Sequence, residues 1–204
     1  MTITLDQVRA GILHPRPEAQ ERFAVRFPDG TTMAMLEKLR EGKNPREAAV
    51  MGILSGKELS ILLTRRTETV AEHRGQIAFP GGMRDPGDDS LLDTALRETE
   101  EEVGIPRSKL EVIGSLPPVY IWASNFVATP HIALARESLR PVPNPEEVEE
   151  VFEVPLSHLA DPATIGEEER TLRGVRVIVP FYRFGERKIW GATARMLAML
   201  MASV

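Results

Sequence analysis

The chain has 204 residues, with 25 Lys and Arg against 30 Asp and Glu and a formal net charge of −5. It contains no cysteine, which excludes a disulfide framework, a thiolate zinc site and a cysteine nucleophile, and its acidic balance argues against a nucleic-acid partner, which needs a basic face. The N-terminus lacks the basic and apolar regions of a signal peptide, and the apolar run Met196–Ala202 is far shorter than the ~20 residues of a membrane span, so a cytoplasmic protein with no membrane partner is expected.

Residues 1–45 read as a mixed N-terminal extension packing on one domain that occupies 46–204. Within it, 5–12 and 33–40 carry short helical patterns separated by Pro15, Pro17, Pro28 and Gly30. Two strand-like runs, 48–54 and 59–64, are joined by Ser55-Gly56-Lys57-Glu58 as a hairpin. A short strand over 76–79 ends in Pro80-Gly81-Gly82, and the residues from there to Ser90 are turn formers throughout. A helix follows, with Ser90 as N-cap, Asp93 at the capping-box position, Gly104 as the left-handed C-cap and Pro106 blocking continuation. Its core stripe is Leu92, Ala95, Leu96, Thr99 and Val103. Further strands are expected at 111–116, 126–135, 175–184 and around Ile189, and a closing helix at 190–201. This alternation indicates a mixed α/β layered domain.

On the capped helix, Glu98, Glu101 and Glu102 stand at i, i+3 and i+4, away from the apolar stripe. An acidic helical face is ordinarily solvated surface. Here a Gly-Gly turn and a loop bearing three aspartates precede it, and between Gly81 and Ile105 eight acids stand against two bases. Such hard oxygen ligands suit Mg²⁺ or Mn²⁺, which can bridge a diphosphate and activate water. No Walker loop, H-E-x-x-H or G-x-S-x-G motif is present.

The segment from Gly82 through Arg97-Glu98-Thr99-Glu100-Glu101-Glu102-Val103-Gly104-Ile105 resembles the Nudix box, G-x5-E-x7-R-E-U-x-E-E-x-G-U with U aliphatic. It departs in three ways: Gly82 to Arg97 is one residue longer, Asp88 or Asp89 stands where a glutamate is usual, and Thr99 fills an aliphatic position. A box of this length resembles the coenzyme A pyrophosphatase branch, with its upstream signature L-L-T-x-R-(S/A)-x3-R-x3-G-x3-F-P-G-G. Here that signature reads Leu62-Leu63-Thr64-Arg65-Arg66-Thr67, then Gly75 and Phe79-Pro80-Gly81-Gly82, with Thr67 replacing the small residue and Ala71 in the arginine position. Later segments, including Leu116-Pro117-Pro118, Val127-Ala128-Thr129-Pro130, Glu147-Val148 and Ile189-Trp190-Gly191-Ala192-Thr193-Ala194, extend the likeness over roughly residues 46–200.

The resemblance implies a Nudix-type α/β/α sandwich with a mixed sheet, acting on a small nucleotide diphosphate with Mg²⁺ or Mn²⁺ as cofactor. Coenzyme A or a derivative is the implied substrate, with ADP-ribose hydrolysis and a non-catalytic nucleotide-binding module as alternatives. Glu98, Glu101, Glu102 and the Gly82 carbonyl would be metal ligands, and Arg97 would hold one of these glutamates. The general base would be a box glutamate or Glu147, although the acids from Glu146 to Glu153 also fit a solvated turn. Arg65, Arg66, His73 and Arg74 would receive phosphates; surface charge explains Arg65 equally well, and His73 would act in proton transfer, although a lone histidine is more often a hydrogen-bonding residue. Trp122 and Phe126 would stack on adenine or belong to the core. The oligomeric state is left open, a homodimer included.

Overall fold

The computed structural model describes residues 2–32, 44–67, 75–172 and 174–202. The helical pattern over 33–40 and two expected site residues, His73 and Arg74, lie outside the described residues. An eight-stranded mixed sheet forms the centre. Its hairpin, β1 (Arg46–Ser55) and β2 (Ser60–Arg66), turns where the Ser-Gly-Lys-Glu sequence predicts, with Gly56 at φ 77°. β1 also runs parallel to β7 (Phe126–Ala135) over nine register pairs, Arg46↔Phe126 to Leu54↔Leu134. The remaining pairings are antiparallel: β3 (Ile77–Ala78) and β8 (Val148–Pro155) with β2, β4 (Gly81–Met83) with β1, and β5 (Leu110–Ser115) and β6 (Val119–Ile121) with β7.

Side-chain alternation along β1 divides the core into two layers. Ala49, Met51 and Ile53 face α2 (Leu91–Val103) and pack with Ala95, Leu96, Val103 and Ile105. Ala48 and Leu54 face the opposite layer, with Val8 and Ile12 of α1 (Leu5–Leu13) and Met196–Leu200 of the closing helix. Each fully buried Leu, Ile or Met contributes about 1.5–3 kcal/mol of burial free energy. A one-turn α3 (Leu156–Leu159) follows β8, and α4 (Gly191–Met201) closes the fold. With helices on both faces of a mixed sheet, the architecture is the α/β/α sandwich expected. A separate three-stranded antiparallel sheet, β9 (Ile165–Leu172), β10 (Val175–Phe184) and β11 (Arg187–Trp190), joins the N-terminal segment through the Arg26↔Ile178 bridge. There Phe23 stacks on Tyr182 with ring centroids 4.3 Å apart.

Several elements differ from the sequence expectation. Gly81–Met83 is a strand paired with Ala48–Val50, not part of a turn. Gly81 sits at φ 150°, and a Cβ there would lie 2.4 Å from the Ala49 carbonyl oxygen, so the residues that look like turn formers are those that allow the chain to lie against β1. β8 runs through the acidic stretch as a strand because Arg65 and Arg187 pair with its outward acids. β6 and β9 also lie outside the expected set.

Candidate active site

α2 begins and ends where its sequence predicts. Ser90 Oγ accepts from the Asp93 N–H at 3.1 Å, and Gly104 takes φ 65° with its N–H donating to the Glu100 carbonyl. The three box glutamates therefore share one face, but Glu102 is not on solvent. Its side chain is 2% exposed, which corrects the expectation that all three acids lie off the buried side. A buried carboxylate requires partners, and it has them. Arg66 Nη1 donates to Oε1 at 2.7 Å, and the Gly81 N–H donates to Oε2 at 3.1 Å. Burial still pushes this carboxyl up to about 7, against the pull of Arg66 and the Gly81 amide.

Arg97 organises the other acids. Its Nε and Nη2 donate to the two oxygens of Asp88, both at 3.0 Å, forming a bidentate pair. Its Nη1 donates to Glu98 at 2.7 Å and to Glu101 at 3.1 Å, and Nη2 also reaches the Met83 carbonyl at 3.3 Å. The expected holding role thus extends over two glutamates, and Asp88, not Asp89, is the loop acid that anchors it. Asp88 is further held by the Thr94 hydroxyl at 2.8 Å and the Asp85 N–H at 2.9 Å. These donors keep its carboxyl well below the usual aspartate range. Glu98 shifts the other way, raised first by burial. It packs on Gly82, where a Cβ would lie 2.5 Å from its carboxylate; only glycine fits there without moving Glu98.

The loop between β7 and β8 returns to the site. The Val142 and Asn144 N–H groups donate to the Val103 and Glu102 carbonyls, and the Thr67 N–H donates to the Glu147 carbonyl, all at 2.9 Å. This brings the Glu147 carboxylate within 3.7 Å of Arg66 Nη2. Its charge contributes to the raised pKa of both Glu98 and Glu102. The basic residues expected to act together do not all meet. Arg66 lies among the acids, whereas Arg65, on the other side of the strand, pairs with Glu149 and Glu150. Trp122 is partly exposed, and Phe126 lies beneath the Arg46 guanidinium, 4.1 Å from its ring centroid.

In this conformation Glu98 and Glu101 close on Arg97, and among the described residues no three acids or histidines converge as a preformed metal-ligand set. The chemistry of the donors fits a hard divalent cation: carboxylates from a single helical turn, Glu98 and Glu102 both desolvated, beside the Gly81–Gly82 strand.

The NUDIX domain model matches residues 43–173. The uncharacterized Nudix hydrolase NudL of Photorhabdus laumondii is 40% identical over 166 residues, covering 81% of this chain and 88% of that protein. A NudL of Yersinia pestis is 34% identical over 183 residues, covering 90% and 92%. Among solved structures, a MutT/nudix family protein from Enterococcus faecalis superposes with a TM-score of 0.51 at 16% identity, over 92% of this chain and 71% of that one.

Proposed function

Because the chain belongs to the NUDIX domain family, we propose that it is a divalent-metal-dependent diphosphate hydrolase acting on coenzyme A or its derivatives. Water adds across the P–O–P bond and releases 3′,5′-ADP and 4′-phosphopantetheine or its acyl form. The observation that carries the chemistry is the clamp of Asp88 and Arg97 on Glu98 and Glu101, beside a buried Glu102 and against β4 at Gly81–Gly82. Glu98, Glu101, Glu102 and the Gly82 carbonyl would hold Mg²⁺ or Mn²⁺. When bound, the metal supplies neutralisation of diphosphate oxygens and a lowered pKa for attacking water.

The protein's own groups divide the remaining work. Asp88 fixes Arg97, and Arg97 fixes the carboxylates, so acids that repel one another stay on one side of the turn. Arg66 compensates the Glu102 charge and is directed at the same site. Glu147 is the carboxylate outside the helix best located to take a proton, beside Arg66 rather than buried. The longer box and the Leu62-Leu63-Thr64-Arg65-Arg66 segment leading to Phe79-Pro80-Gly81-Gly82 support the coenzyme A assignment. A turnover panel of coenzyme A, ADP-ribose, NADH and dinucleoside polyphosphates with Mg²⁺ and with Mn²⁺ tests it. Coenzyme A should give the highest kcat/KM; an order-of-magnitude advantage for ADP-ribose would overturn the substrate assignment and leave the metal chemistry standing.

A further inference from the structure

On the sheet face opposite α2, a cavity of about 680 Å³ extends from Arg66 and Gly81–Gly82 of β4 to the underside of α4. That size suits a sizeable organic group rather than a phosphate. Its wall is apolar, built mainly from Phe23, Val50, Phe126, Trp190 and Met196, with Trp122 at the hairpin between β6 and β7. Several of the polar side chains along it bond within the protein. Thr193 donates to the Ile77 carbonyl at 2.9 Å and Tyr120 to Asn125 at 2.9 Å; Arg195 bonds the Tyr120 carbonyl at 3.0 Å and Gln20 at 2.7 Å. Arg66 is bound to Glu102. Reading a nucleobase edge needs a convergent set of donors and acceptors, whereas this wall is mainly apolar. An aliphatic chain needs none.

Two parts of this wall come from outside the matched family region of 43–173: Phe23–Val25 before it and Trp190–Met196 after it. The N-terminal segment meets the second through the Arg195–Gln20 bond, and Phe23 stacks on Tyr182 of β10. This chain's flanking segments therefore supply part of the cavity wall. We propose that it takes the apolar acyl end of the substrate, so that acylated coenzyme A is preferred to the free thiol and the flanking segments set that preference. This rests on the coenzyme A reading above and deepens it.

The full-length protein with Mg²⁺ is assayed on free, acetyl-, hexanoyl- and octanoyl-coenzyme A, with ADP-ribose alongside. Burying a methylene is worth up to about fourfold in kcat/KM, so octanoyl-coenzyme A should exceed the free thiol by at least about tenfold. Equal kcat/KM along a series that is well hydrolysed overturns the cavity assignment and leaves the diphosphatase reading intact. Hydrolysis of ADP-ribose but of no coenzyme A derivative defeats the substrate reading instead. Binding of octanoyl-pantetheine, which has no diphosphate, then decides the cavity. Both tryptophans of the chain line it, so occupation should change intrinsic fluorescence and compete with the hydrolysed substrate. No fluorescence change and no competition overturn the assignment. Ala128→Leu, which narrows the cavity, and Trp122→Ala, on a partly exposed hairpin whose loss does not unfold the core, should each reduce the octanoyl-to-free ratio. An unchanged ratio in both variants counts against the cavity.

Discussion

Asp88→Asn isolates the clamp beneath the acid set. Asp88 is 6% exposed and Arg97 28%; the aspartate carries both guanidinium contacts, the Thr94 hydroxyl and the Asp85 amide. Asparagine keeps the shape but turns an NH₂ donor toward a guanidinium that has only donors. Stripping one partner from a fully buried ion pair costs about 3–5 kcal/mol. Arg97 is partly solvated and keeps Glu98 and Glu101, which brings the expected cost to about 2 kcal/mol. For a chain of this size that is a fall in Tm of about 4–8 °C. The pH dependence is a second readout. Because the folded carboxyl lies below its unfolded value, its stabilisation is complete above the ordinary aspartate pKa of about 3.9 and fades as pH falls through the lowered folded value. Urea midpoints from pH 7 down to pH 3 should therefore show the wild type losing stability more steeply than Asp88→Asn, with the two curves converging. Equal midpoints at pH 7, or a gap that does not narrow in acid, would refute the clamp.

The other consequences are tested separately. Glu102→Gln should reduce kcat by at least about 10²-fold while circular dichroism stays native; retained turnover would remove Glu102 from the metal set. Chelation with EDTA should abolish hydrolysis, and Mg²⁺ at about 100 times its Kd should stabilise the wild type by about 2.7 kcal/mol in thermal unfolding, with Glu98→Gln showing far less; equal stabilisation would place the ion elsewhere. Gly82→Ala drives a methyl into the Glu98 carboxylate, the mobile end of its side chain, so activity should fall by more than tenfold with Tm changed by only a few degrees. Phe23→Ala removes a fully buried ring from the Tyr182 stack and should cost about 3–5 kcal/mol by urea titration.

The capped helix was the most legible element, since Ser90, Gly104 and the 3.6-residue spacing act locally. The hairpin between β1 and β2, the long strand at 126–135 and the closing helix follow from equally local signals. What escaped reading depends on distant partners. Glu102 counts as polar in any periodicity, and it is Arg66, 36 positions away, with the Gly81 amide, that makes its burial tolerable. Glu149, Glu150 and Glu153 look like a solvated turn until Arg65, Arg187 and the Ser55 hydroxyl pair with them across strands. Gly81 and Gly82 carry turn chemistry because they have no side chains, and the same lack lets them serve as a strand. The choice between Asp88 and Asp89 depended on which faces Arg97, a matter of loop geometry.

The parallel pairing of β1 with β7 also bears on how the chain is made. Its partners lie 80 positions apart, Arg46 with Phe126. At about 5–20 residues per second of synthesis, β1 waits roughly 4–16 s for the strand that completes its ladder. In that interval it has only β2 and β4 beside it, and Ala48–Leu54 is an apolar run whose β7 edge is open. A domain dominated by such long-range pairing closes late and folds slowly. Nascent chains truncated before Phe126 should therefore engage chaperones, and release of the completed β7 should end that engagement.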